Sequence, residues 1–132
     1  MQESPIFSRT YDLLLWLLPQ ATKFPRIHRF GLGERVTRLA LDFQETLIAA
    51  GLRRRPERTL LLDRADEQLA QLRHHLRMCK DLELISLGQY EHVSRILVEV
   101  GCLLGGWKKK LSQTGQADGG AGGAGRFVEQ ST

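Results

Sequence analysis

The side chains with the most to offer chemically are basic, and they come in groups. Lys23, Arg26, His28 and Arg29 stand close together and continue into Arg35 and Arg38. Arg53, Arg54, Arg55 and Arg58 form a second group. Arg73, His74, His75, Arg77 and Lys80 form a third, and Lys108, Lys109 and Lys110 a fourth. Guanidinium and ammonium groups at this density bind phosphate, through forked hydrogen bonds and the release of counterions. Nineteen Lys and Arg against fifteen Asp and Glu leave a formal charge of only +4, so the grouping matters more than the sum. Cations are favoured at helix C-termini, which explains part of the third and fourth groups. It does not explain Lys23 to Arg29, which precede a helix start, where the dipole disfavours them.

Residues for bond-making chemistry are harder to find. Gly31-Leu32-Gly33 lacks both a preceding strand and a third glycine, so it is no dinucleotide loop. His74 and His75 are adjacent and cannot share a metal ion on a helix, while His28 and His92 stand alone. A carboxylate-bridged di-iron bundle would need Glu-x-x-His pairs; Asp42 and Glu45 have no His beside them, and Glu91 and His92 are neighbours. Cys79 and Cys102 sit singly in apolar helical patterns, as small hydrophobic residues do. No catalytic residue, metal ligand or cofactor is assigned, and the chain is expected not to be an enzyme.

The elements that carry the charges are helical. The first helix is expected over about Ser8 to Thr22, with Phe7, Tyr11, Leu14, Leu15 and Leu18 on one face. Leu13, Trp16 and Leu17 fill most of the remainder, so a second cover is needed, and in so small a bundle another subunit can supply it. Pro19 should kink this helix and Pro25 should end it. A second helix spans about Leu32 to Ala50, with Gly51 as its left-handed cap. A third spans about Pro56 to Lys80, with Leu62, Ala65, Leu69, Leu72, Leu76 and Cys79 spaced as an antiparallel or coiled seam. A fourth spans about Ser86 to Leu111, with Ser86 as N-cap. Gly101 and Gly105 inside it each cost about 1 kcal/mol relative to Ala, which points to close approach of another helix.

Of the 132 residues, 1–113 are therefore assigned to an all-α, antiparallel up-down-up-down four-helix bundle, and 114–132 to a flexible Gly-rich tail. The longest apolar run, Leu13 to Leu18, is too short to cross a bilayer. No targeting segment is read, so the cytoplasm is the expected compartment. In such a bundle the first and third basic groups share one end, and the second and fourth share the other.

Four strings then acquire meaning together: Tyr11-Asp-Leu-Leu-Leu-Trp-Leu-Leu-Pro19 followed by Lys23-Phe-Pro-Arg-Ile-His-Arg-Phe-Gly-Leu-Gly-Glu-Arg35, then Leu84-Ile-Ser-Leu-Gly-Gln-Tyr90, and Val100-Gly-Cys-Leu-Leu-Gly-Gly-Trp-Lys108. In this order they resemble the accessory variability determinant proteins of diversity-generating retroelements, across about Tyr11 to Lys110. The resemblance implies a four-helix bundle assembled into a homo-oligomeric, pentameric ring. It implies a non-catalytic partner of a reverse transcriptase and its template RNA, supporting mutagenic cDNA synthesis. On the matching motif, Lys23, Arg26, His28, Arg29 and Arg35 become expected contacts for those partners. Arg38, Arg53, Arg54, Arg55, Arg73, Arg77, Lys108, Lys109 and Lys110 join them on electrostatic grounds alone. Leu13, Trp16, Leu17, Gly101 and Gly105 are the expected oligomer contacts. Two alternatives stay open on the same fold: a structured-RNA-binding bundle of the ribosomal RNA intervening-sequence type, and a purely structural oligomer.

Overall fold

In a computed structural model, the backbone is described for residues 4–122 and the side chains for 4–113. Four long helices dominate, and no strand occurs among the described residues: α1 Pro5–Thr22, α3 Glu34–Leu52, α4 Glu57–Asp81 and α5 Leu87–Gly122. A short turn of helix, α2 Arg26–His28, and a π-helical turn, Arg29–Gly33, lead directly into α3. α1 packs on α3 and α5, and α4 packs on the same two, so α1 and α4 lie across the diagonal. Cross-links show the antiparallel sense. Arg9 meets Glu99 and Gln20 meets Gln89 between α1 and α5; Asp66 meets Lys108 and Arg73 meets Leu97 between α4 and α5.

The expected seam of α4 is buried throughout, from Leu62 to Cys79. Burial pushes the Cys79 thiol up to about 11, so Cys79 is a packing residue at neutral pH; Cys102 is exposed. Ser86 caps α5 as expected. Its Oγ accepts from the Gln89 N–H at 3.0 Å, and Gln89 Oε1 accepts from the Ser86 N–H at 2.8 Å, a reciprocal capping box.

α1 departs from expectation in its phase. The buried face is Ile6, Thr10, Leu13, Leu14, Leu17 and Ala21, while Tyr11 and Leu15 point to solvent. A helix apolar nearly all round fits two stripes equally well, and packing between α3 and α5 selects one. Leu13 and Leu17 are thus fully buried within their own chain and are not oligomer contacts. Trp16 is half-buried, its ring 5.6 Å from that of His92. The helix also continues through Pro19 to Thr22; the carbonyl that Pro19 leaves without an N–H belongs to exposed Leu15.

The two other helix ends also differ. Gly51 lies inside α3, and the extended residue that follows the helix is Arg53. Arg58 closes this end by donating from Nε to the Ala50 carbonyl at 2.8 Å and from Nη2 to the Gly51 carbonyl at 3.1 Å. At the other end of α4, Glu83 has φ 61°. Its N–H reaches the Lys80 carbonyl at 2.9 Å, and the Leu84 N–H reaches that of Cys79 at 2.8 Å. This is the Schellman arrangement, in which glycine normally occupies the left-handed position. Glu83→Gly is therefore expected to raise the unfolding free energy by about 0.5–1 kcal/mol. A urea midpoint that stays put or falls would contradict it.

The α5 backbone runs on to Gly122, past Leu111 where the apolar pattern stops. The side chains of the expected tail, 114–132, lie outside the described residues. No helix among the described residues is long and apolar enough to cross a membrane.

Candidate nucleic-acid interface

One end of the bundle is built by the string from Lys23 to Arg35, and two buried residues set its shape. Phe24 is 1 % exposed and anchors the chain after α1. Gly33 is buried against it: a Cβ there would meet Phe24 Cδ2 at 3.1 Å and the His28 carbonyl oxygen at 3.2 Å. A residue without a side chain lets the π turn close on the end of α1 with none of these neighbours displaced. Pro25 is extended, and its carbonyl accepts from the N–H groups of His28 and Arg29. With Phe24 and Gly33 held inside, the residues between them are driven outward. Lys23, Arg26, Ile27, Arg29 and Phe30 are all exposed.

Arg35 and Arg38 extend this surface along α3, and Arg77 adds to it from α4. Among the described residues, Lys23, Arg26, Arg35 and Arg77 have no hydrogen-bond or ion-pair partner. Arg29 Nε reaches only the Phe24 carbonyl, at 3.4 Å, and Arg38 only Glu34, also at 3.4 Å. The first and third basic groups thus meet at one end as expected, except for Arg73. That side chain, though exposed, donates from Nη2 to the Leu97 carbonyl of α5 at 3.0 Å, which gives it a structural link that the other cations of this end lack.

The opposite end holds less available charge than its sequence suggests. Arg53 and Arg54 are exposed without partners among the described residues, and Lys109 likewise. Arg55 and Lys110 are each engaged in an interaction. Arg58 is occupied as a cap, with its guanidinium 5.8 Å from the centre of the Trp107 ring. Lys108 is consumed altogether: its ammonium lies 3.2 Å from Asp63 and 2.9 Å from Asp66, with its side chain only 11 % exposed. Burial pushes its pKa down, but the hydrogen bonds and charges of the two carboxylates outweigh that, and the net shift is upward. The lysine's share of this stabilisation is therefore fully present at neutral pH and is lost as the pH rises through its raised folded value. Lys108→Gln is expected to cost about 1 kcal/mol of stability with no change in RNA affinity. A loss of affinity at unchanged stability would return Lys108 to the binding surface.

The glycines of α5 divide as well. A Cβ on Gly101 would lie 2.3 Å from Arg73 Nη2, so a close approach there is made within the chain. Gly105 has no described atom within 4 Å of such a Cβ, so no close approach within the chain requires it. Among the described residues, no three His, Cys, Asp or Glu side chains gather to hold a metal ion.

Charge counting overlooks the apolar residues set among these cations. Ile27 is 81 % and Phe30 69 % exposed, and Met78 and Leu82 stand half-exposed nearby. Their signal lies within the string itself, where Ile27 and Phe30 alternate with Arg26, His28 and Arg29.

The segment with this geometry falls inside a wider match. Residues 5–111 fit the model of the bAvd-like family. The chain belongs to that family. The bAvd-like segment covers α1, α3 and α4 whole and α5 as far as Leu111, the last residue of its apolar pattern. No curated protein matches the sequence.

Proposed function

We propose that the protein is a non-catalytic accessory subunit of a diversity-generating retroelement, which holds the reverse transcriptase and template RNA on basic surfaces during mutagenic cDNA synthesis. The observation that carries this reading is the end built by Lys23 to Arg35, where cations without internal partners are concentrated on the motif that resembles the accessory proteins. Family membership supports it. Phosphate contact through such groups is electrostatic and salt-dependent. The mechanism is scaffolding: the bundle presents fixed charge, and chemistry belongs to the polymerase. A homo-oligomeric ring is part of the proposal. With Leu13 and Leu17 inside, its apolar contact falls to Tyr11, Leu15 and Ile48, which α1 and α3 expose.

The test is co-purification with the reverse transcriptase encoded nearby and its template RNA, at low and moderate salt. Salt-sensitive association supports the reading. RNA binding without polymerase association would favour the intervening-sequence alternative, and no association at either salt would leave a structural oligomer.

A further inference from the structure

Between the π turn and the last turns of α4 lies an open cleft of about 690 Å³. Phe30, Met78 and Leu82 give it an apolar lining, while Arg35, Arg38 and His75 supply polar groups and Glu34 supplies one acid. We propose that this cleft seats one unpaired nucleobase of a single-stranded RNA, with Phe30 as its stacking surface and Arg35 and Arg38 as contacts to the flanking phosphates. The proposal rests on the reading above only in taking RNA as a ligand.

Three observations favour a base. First, the π turn presents an aromatic ring to solvent instead of the core, and π turns in helices are frequent at functional sites. Stacking on such a ring is how single strands are held, because every base has a π face. Second, the ring is flanked by guanidinium groups at the next helical turns, the combination that holds a base together with its phosphates. Glu34 is engaged with Arg38, and Arg35 forms no ion pair among the described residues. Third, His75 Nδ1 lies 2.7 Å from the Gln71 carbonyl oxygen. A carbonyl only accepts, so Nδ1 carries the proton. In the neutral ring, Nε2 is then an acceptor, suited to an amino group on a base edge.

The experiment compares binding of an unstructured oligoadenylate with binding of a duplex RNA of equal length, by fluorescence anisotropy on the full chain. Wild type is expected to prefer the single strand. Phe30→Ala should weaken that binding by about tenfold or more, leave duplex binding unchanged, and be rescued by Phe30→Trp. Phe30 is exposed, so folding is not at stake, and circular dichroism verifies this. Equal binding of both RNAs, or a Phe30→Ala variant that binds the single strand as wild type does, overturns the inference and leaves the accessory-subunit reading standing. Failure of wild type to bind either RNA removes the RNA contact from both. Loss of reverse transcriptase association in Phe30→Ala with RNA binding intact overturns the inference in favour of a protein seat.

Discussion

Reversing the charge of Arg26 and Arg35 together is expected to weaken association with reverse transcriptase and RNA by about 10–100-fold at moderate salt. Neither side chain has a hydrogen-bond or ion-pair partner among the described residues, so the helical content and the urea midpoint should stay at wild-type values. The effect has a second signature. Two lost phosphate contacts should flatten the dependence of log K on log salt by roughly 1.4, since each contact to single-stranded RNA contributes about 0.7. Unchanged affinity would move the interface to the end that carries Arg53, Arg54 and Lys109. A weaker complex with an unchanged slope would mean that the arginines meet protein and not phosphate.

The second large effect is structural and comes from the same string. Phe24→Ala should cost about 3–4 kcal/mol, the usual range for emptying a fully buried aromatic site. For a domain whose total stability is of order 5–15 kcal/mol, that loss approaches unfolding. Equilibrium urea denaturation measures it, and a cost below about 1 kcal/mol would show that the site collapses around the cavity. Gly33 supplies the control. Gly33→Ala places a methyl 3.1 Å from Phe24 Cδ2, so it should destabilise the wild type. It should cost less in a Phe24→Leu background, where the ring is gone. Additive costs in the two backgrounds would place the crowding at the backbone carbonyls instead.

Much of this molecule is readable from the order of its residues, for identifiable reasons. The seam of α4 stood out because Leu62 to Cys79 repeat three and four apart against a strongly polar background, which admits one buried face. Ser86 was legible as an N-cap because a serine before an apolar helical stripe is a preferred start, whereas the reciprocal bond from Gln89 appears only in the structure. α1 was legible as a helix but not in phase, because Leu15 is as apolar as Leu13 and Leu17, and Tyr11 and Leu18 fall on its stripe. Only the positions of α3 and α5 decide which pair is covered. The candidate interface was legible as charge and illegible as availability. Lys23 and Lys108 look alike in a list of cations, yet Lys108 is held by Asp63 and Asp66 from a helix more than forty residues earlier. Arg58 and Arg73 are bound to backbone carbonyls, which no pattern of side chains reveals. Phe30 escaped notice because a lone aromatic in a basic turn reads as packing, and only the π turn turns it outward.

The guanidinium of Arg73 occupies the space where a side chain at position 101 would begin. A side chain at 101 therefore requires the end of the flexible, exposed Arg73 side chain to move aside. Alanine at 101 is the better helix former by about 1 kcal/mol, but it displaces the arginine from the Leu97 carbonyl. Replacing both together should be cheaper than the sum of the single costs. Among relatives of this chain, an arginine at 73 and a glycine at 101 should be inherited as a pair and lost as a pair, which makes them a covariation signal across two helices that owes nothing to any ligand.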